Sequence, residues 1–97
     1  MERPQMNKYY TYIVTDNDKG QLETGATGSL SMKLQDMEQE MPSDISPVCK
    51  YILYWEEHED AVQAIMREKE LKKLSRKKKE NLINKSNPEW RFLNEDI

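Results

Sequence analysis

The stretch KYILYWEEHEDAVQAIMREKELKKLSRKKKENLINKSNPEW, residues 50–90, decides the fold. Its apolar start, extended back to Val48, predicts a strand over 48–55 that is buried on both faces. The acidic run 56–60 then predicts the start of a helix over 60–74. Ser75 is the expected N-cap of a second helix over 76–85, which Pro88 prevents from continuing.

The segment before this stretch predicts a β-hairpin followed by a helix. Residues 8–15 are β-branched and aromatic, 16–20 have turn chemistry, and 21–27 indicate a weaker second strand. Gly25 and Gly28 are expected to leave that strand with unusual backbone angles. An amphipathic pattern predicts a helix over 29–41, and 41–47 is a loop between two prolines. The expected fold is therefore α/β, in the order β-β-α-β-α-α, with a small, mostly antiparallel three-stranded sheet flanked by helices.

Length and composition limit the class of protein. The chain has 97 residues, which suits one domain over 1–97 with a core at about 8–95. No apolar run approaches the ~18 residues of a membrane span, and no signal peptide is evident. One cysteine, Cys49, and one histidine, His58, are too few for a zinc site, and a cytoplasmic location is expected. The sequence does not indicate an oligomeric state.

The net charge of −3 hides a strongly basic segment. Residues 67–79 contain eight bases and only two acids. Three of the lysines occupy the first turn of the last helix, where the positive end of the helix dipole disfavours cations. A nucleic-acid phosphate backbone beside that turn would explain them, and a solvated surface run is the alternative. The candidate nucleic-acid-binding residues are Arg67, Lys69, Lys72, Lys73, Arg76, Lys77, Lys78 and Lys79.

One carboxylate falls within the apolar stripe of the 60–74 helix. That stripe is formed by Ala61, Ala64, Ile65 and Leu71, and Glu68 lies three or four residues from three of them. A lone buried carboxylate is costly, so Glu68 should be partnered, protonated, bound to a metal or beside a cleft. The alternative is that the stripe is broad and Glu68 lies at its edge, where it reaches water or pairs with a lysine.

This arrangement resembles the GIY-YIG nuclease superfamily, and particularly its small stand-alone bacterial members. The similarity covers about residues 8–95 and is most specific in the A-x-x-R-E-K-x-L-K, S-R-x-K-K and N-P-x-W segments. The resemblance implies hydrolysis of DNA phosphodiesters by a tyrosine-assisted water. It also implies an arginine that stabilises the phosphate and one divalent metal, Mg²⁺ or Mn²⁺, held by a glutamate.

Four positions keep the residue that the resemblance implies. Tyr12 corresponds to the first motif tyrosine, although the glycine of that motif is absent, and Gly25 corresponds to the glycine of the second motif. Glu68 corresponds to the metal-binding glutamate, and it is also the residue that the helical pattern singles out. Asn87 corresponds to the late asparagine of the family.

Three positions carry a replacement. Glu23 stands where the second motif has tyrosine, Lys33 replaces the arginine, and Met37 replaces a histidine or tyrosine. Glu23 removes a hydroxyl and adds negative charge, and Lys33 loses the planar fork that binds phosphate bidentately. Met37 can neither donate a proton nor bind phosphate. The sequence therefore predicts an intact scaffold with an incomplete catalytic set, and whether the protein is an enzyme stays open.

Three functions are compatible with this pattern. The first is a nucleic-acid-binding module, with DNA as the expected partner, that has lost or nearly lost endonuclease activity. The second is an altered metal-dependent DNA endonuclease that uses Glu23, Lys33 and Glu68. The third is a protein-interaction module with aromatic anchors, although core packing is the simpler role for these side chains: Tyr9, Tyr10, Trp55 and Trp90. His58 is expected at the surface and Cys49 in the core.

Overall fold

The computed structural model describes residues 8–39 and 49–97. The elements are β1 (Tyr9–Thr15), β2 (Leu22–Thr27), α1 (Leu30–Glu38), β3 (Tyr51–His58), α2 (Ala61–Lys73), α3 (Arg76–Ser86) and a terminal 3₁₀ turn (Asn94–Asp96). The predicted α/β fold and its element order are confirmed. The predicted loop 41–47 and the last residues of the predicted 29–41 helix lie outside the described residues. No helix of the described ranges is long and apolar enough to span a membrane.

The sheet has the order β2-β1-β3, with both neighbours antiparallel to the central strand. Tyr12 on β1 lies opposite Gly25 on β2 and Trp55 on β3. Because side chains alternate along a strand, Tyr10, Tyr12 and Val14 share one face of the sheet. We call this the α1 face, and the opposite one the α2 face.

Each face of the sheet covers its own cluster of apolar side chains. On the α1 face, Tyr12 and Val14 pack with α1 and with residues at the start of β3: Leu30, Leu34, Met37, Cys49 and Ile52. On the α2 face, Ile13 and Leu53 pack with Ile83 of α3. A hydrogen bond of 2.9 Å from the Thr11 hydroxyl to the Ala64 carbonyl fixes α2 on this second face. The central strand is therefore buried on both sides.

The three helices begin at side-chain caps. The side chains of Ser29, Asp60 and Ser75 accept hydrogen bonds from the backbone N–H groups three residues ahead. Each cap satisfies a donor that the first helical turn leaves free, and such a cap typically stabilises by about 1 kcal/mol. At the other end of α3, Asn87 is the C-cap and precedes Pro88. The predicted boundaries of α2 and α3 are confirmed within a residue or two.

The third strand differs from its prediction. It begins at Tyr51 and continues through Glu56, Glu57 and His58, which the sequence assigned to a helix start. These residues pair with the beginning of β1, His58 with Tyr9 and Glu57 with Tyr10. An edge strand tolerates such charges because one of its sides is open. The predicted burial on both faces of the strand is found at Ile52 and Leu53, which are both fully buried. At the same place, the register between β3 and β1 shifts by one residue.

Two smaller predictions are wrong. No glycine of the described residues has a positive φ, so neither Gly25 nor Gly28 supplies an unusual backbone angle. Gly25 is required for another reason, because a Cβ atom there would overlap the Tyr12 ring, 2.9 Å from its Cε1. Ile65 was expected in the apolar stripe of α2 but is 47% exposed. The buried positions of that helix are Ala64 and Leu71.

Candidate functional site

The tyrosine expected to assist catalysis is a core residue. Tyr12 is 5% exposed, and its ring lies across the backbone of Gly25 on the neighbouring strand. Met37, at the position of a histidine or tyrosine in the resembled family, is 3% exposed in the same cluster. Core packing therefore occupies both of these positions, which the resemblance associates with catalysis.

Glu23 and Lys33 belong to the same side of the sheet but do not pair. Glu23 is exposed on β2, opposite Val14, and therefore lies on the α1 face. Lys33 is half-buried on α1, next to the buried Leu34. Neither side chain takes part in an ion pair among the described residues. Glu23 and Lys33 thus lie on the same side of the sheet, but no ion pair connects them.

Glu68 lies on the opposite side of the sheet from Tyr12. Its side chain is 21% exposed, and its carboxylate forms an ion pair with Lys72, with 3.1 Å between Oε2 and Nζ. Two grooves show in which direction α2 runs past β2. Ala61 and Ala64, near the start of α2, border one groove with Ala26, and Arg76, at the start of α3, borders the other with Leu22. Glu68 lies on α2 between these two places. It occupies the edge of the stripe and pairs with a lysine, which is one of the two alternatives that the sequence left open.

The described residues do not provide a carboxylate set for a divalent cation. No group of three His, Cys, Asp or Glu side chains within residues 8–39 and 49–97 is arranged to hold a metal ion. Glu23 and the helix that carries Glu68 lie on opposite faces of the sheet, and the Glu68 carboxylate forms an ion pair with Lys72. The resemblance implies a metal held by one glutamate rather than by such a group, so a divalent metal at Glu68 stays a prediction.

Asn87 has a structural role in the fold. Its side-chain N–H groups donate to the carbonyls of Leu53 (3.1 Å) and Arg91 (2.9 Å), and its side-chain oxygen accepts from the Arg91 amide (3.0 Å). The residue is 5% exposed. Both hydrogens of its amide are used, so Asn87 joins the end of α3 to β3, and it has no free donor for a substrate.

The two arginines of the predicted basic surface are held by the protein itself. The Arg67 guanidinium contacts Glu56 at 2.9 and 3.0 Å and Glu70 at 3.1 Å. Arg76 donates to the carbonyls of Gly20 (2.6 Å) and Lys19 (3.1 Å), which form the tip of the β1–β2 hairpin. These contacts fasten α2 to β3 and α3 to the hairpin.

Several lysines of the same segment are, by contrast, exposed and without an ion pair among the described residues. They are Lys69 and Lys73 on α2 and Lys77 and Lys78 on α3, and we call them the lysine corner. Only Leu74 and Ser75 separate the two helices, so the last turn of α2 adjoins the first turn of α3. The nearby acids Glu68, Glu70 and Glu80 already have cationic partners. The corner is therefore a local excess of positive charge.

A polar network between β3 and α2 is absent from the sequence-based prediction. Tyr54 donates to Glu56, which is bound in turn by Arg67. Burial works to raise the pKa of Glu56, but hydrogen bonds from Arg67 and Tyr54 outweigh it and hold that pKa below its ordinary value. Burial, together with the hydrogen bond to Glu56, raises the pKa of Tyr54 to about 12. The network stabilises an ionised carboxylate at the sheet–helix boundary.

His58 extends this network towards the central strand. Its Nε2 atom lies 3.1 Å from the Thr11 hydroxyl and 3.6 Å from a Glu56 oxygen. The single hydroxyl hydrogen of Thr11 is donated to Ala64, so Thr11 accepts from His58 and Nε2 carries a hydrogen. The expectation that His58 is a surface residue is wrong, because its side chain is 15% exposed. The signal was the alternation of Tyr54, Glu56 and His58 in YWEEH, which continues the strand period beyond Trp55.

Comparison with known proteins supports the fold. No protein-family model matches the chain, and no curated protein matches it. The structure of the UPF0213 protein BH0048 from Bacillus halodurans, determined by NMR in solution, is similar with a TM-score of 0.55. The two share 21% identity over 86% of this chain and 89% of that one. A likeness at this identity concerns the fold alone, and it agrees with the α/β architecture described above.

Proposed function

We propose that this protein is a nucleic-acid-binding module with a GIY-YIG-like fold, that it binds DNA through the lysine corner, and that it lacks efficient endonuclease activity. The observation that carries the proposal is the group of four exposed lysines where α2 meets α3, none of which has an ion pair within residues 8–39 and 49–97. An anionic backbone is the ligand that such a surface fits, because each neutralised phosphate releases condensed counterions.

The position of these lysines supports a charge-based role. Lys77 and Lys78 lie in the first turn of α3, where the helix dipole disfavours each cation by a few tenths of a kcal/mol. Lys73, in the last turn of α2, has a favourable dipole interaction. A bound phosphate near Ser75 would be attracted by both groups of lysines and by the positive end of the α3 dipole.

The burial of the expected catalytic positions supports the absence of efficient cleavage. Tyr12 and Met37 are core residues, and Asn87 is fully hydrogen-bonded within the fold. Lys33 carries charge but has no planar fork for a transferring phosphate. The loss of one transition-state donor typically lowers a rate by ~10²–10³. We therefore expect binding to persist while cleavage is slow or absent.

The test is DNA affinity as a function of salt. We expect log K to fall linearly with log salt concentration, with a slope of about −0.9 for each phosphate contacted. Lys77→Gln and Lys78→Gln should each reduce that slope by roughly one and weaken binding on every DNA sequence alike. Lys85→Gln is the matched control, because Lys85 is an exposed lysine in the last turn of α3. No binding at low salt to duplex, branched or single-stranded DNA would refute the proposal.

The same preparations test cleavage. Branched and plasmid DNA are incubated with Mg²⁺ or Mn²⁺, together with the wild type and with Glu68→Ala. We expect no cleavage by either protein. Cleavage by the wild type that is lost in Glu68→Ala would instead establish the altered nuclease and show that Glu68 is required for it. Charge reversal at Lys77 and Lys78 that leaves DNA binding unchanged, but abolishes capture of an acidic protein, would establish the interaction module.

A further inference from the structure

One exposed face of α2 carries an apolar patch that the proposed function does not use. Val62, Ile65 and Met66 are 65%, 47% and 60% exposed. At about 100° per residue, Val62 and Met66 lie opposite the buried Ala64 and Leu71 and face away from the sheet. These three side chains are more than half of the large apolar side chains that are exposed in the described ranges, the others being Met32 and Ile97. We call Val62, Ile65 and Met66 the α2 patch.

Charges of opposite sign flank the patch along the helix. The acidic Glu57, Glu59 and Asp60 precede the first turn, and Lys69 and Lys73 follow the patch on the same exposed side. The Glu59 side chain is 72% exposed, and its one ion pair within the described part of the chain is with Lys8. Lys8 also contacts Glu57 at 3.6 Å, so it keeps a partner if Glu59 turns elsewhere. From its N-terminus to its C-terminus, the face therefore reads acidic, apolar and basic.

A surface with that order is complementary to itself when reversed. Suppose that a second α2 packs antiparallel to the first, with the twofold axis crossing both helices at the level of residue 64. Val62 of each chain then meets Met66 of the other. The same register places Glu59 of one chain near Lys69 of the other, twice. The dipoles of two antiparallel helices also attract each other at their ends. A twofold interface of this kind uses the same patch on both subunits.

We propose that the α2 patch is the interface of a homodimer in which two copies of this chain pack their α2 helices antiparallel. A groove beside Ile65, lined by Tyr9, Ala26 and Gly28, extends the apolar surface towards β2. Two helices of 13 residues form a small interface, so the dimer is weak and depends on protein concentration. We expect a dissociation constant on the order of 100 μM, because interfaces below ~1,200 Å² belong to weak, transient complexes. Lys77 and Lys78 stay outside the interface.

Sedimentation velocity over a concentration series measures the dimer directly. The wild type should move from monomer to dimer between about 10 μM and 1 mM. Lys69→Glu and Glu59→Lys each place like charges together at both symmetric contacts and should raise the dissociation constant about tenfold or more. The double variant with both reversals restores the opposite pairing, and its dissociation constant should return to within about threefold of the wild type.

The apolar part of the patch has its own matched pair of variants. Met66→Glu should abolish the dimer, whereas Met32→Glu should leave it unchanged, because Met32 is 66% exposed on α1, away from the patch. Both residues are exposed, so the two variants should keep the circular dichroism spectrum and melting temperature of the wild type. A wild type that stays monomeric up to 1 mM would overturn the proposal. A dimer that Met66→Glu and the single charge reversals leave intact would also overturn it.

Discussion

The contact between Tyr12 and Gly25 gives the most direct test of the packing described above. Gly25→Ala adds one carbon where the Tyr12 ring already lies, 2.9 Å from Cε1 and closer to its outer end. Tyr12 is 5% exposed in a packed cluster, so the ring cannot move aside without displacing its neighbours. Overpacking of this kind typically costs about 1–3 kcal/mol. In a domain of this size, each kcal/mol lowers the melting temperature by roughly 4–8 °C.

The control is another glycine on the same stretch. At Gly28, an added Cβ would meet the nearest atom of Tyr9 at 3.5 Å, an ordinary contact, and φ is not positive. Gly28→Ala should therefore be neutral, or stabilising by about 0.4–1 kcal/mol through the unfolded state. Urea unfolding of both variants gives the difference. Equal stability of Gly25→Ala and Gly28→Ala would refute the argument, as would a Gly25→Ala cost that persists unchanged in a Tyr12→Ala background.

Three further predictions concern the polar groups. The pKa of Glu56 lies below its ordinary value of 4.5, so its contribution to stability is present above that value and is lost as the pH falls through the folded pKa. Glu56→Gln should therefore flatten the decline in unfolding free energy measured by urea between about pH 5 and pH 3. One of the five tyrosines, Tyr54, should titrate late, at about pH 12, in the ultraviolet absorbance, and Tyr54→Phe should remove that component. Asn87→Ala should cost about 1–3 kcal/mol, because it leaves the Leu53 carbonyl and the Arg91 amide without a partner; an unchanged urea midpoint would contradict this role.

The order of the elements could be predicted because the local signals are strong and agree. The DNDKG turn, the cap residues Asp60 and Ser75, and Pro88 each have a physical effect that acts within a few residues. The end of β3 was predicted three residues too early because Glu56, Glu57 and His58 are poor strand formers. Their conformation is decided by pairing with β1, more than 40 residues away, and by the Arg67 ion pair. Neither contact is visible in a local pattern.

The candidate site could be predicted only in part, for a similar reason. Spacing along a helix identified Glu68 as unusual, and the structure agrees that it lies at the edge of the stripe beside Lys72. The spacing of residues along the sequence could not show that Tyr12 and Glu68 lie on opposite sides of the sheet. That depends on the face of the sheet over which the chain passes between β3 and α2. Charge counting located the basic segment, but it could not distinguish Arg67, which is used within the fold, from the exposed Lys77.

The C-terminal turn has a consequence for the behaviour of the protein at high concentration. The side chain of Asn94 accepts from the Ile52 amide at 2.8 Å and donates to the Lys50 carbonyl at 2.9 Å, while the Leu93 amide donates to Ile52. These bonds satisfy the outward-facing groups at the start of β3, which would otherwise be available to a strand from another molecule. A side-chain amide thus takes the place of a fourth strand at the most apolar part of this edge, where it protects the chain against fibrous aggregation.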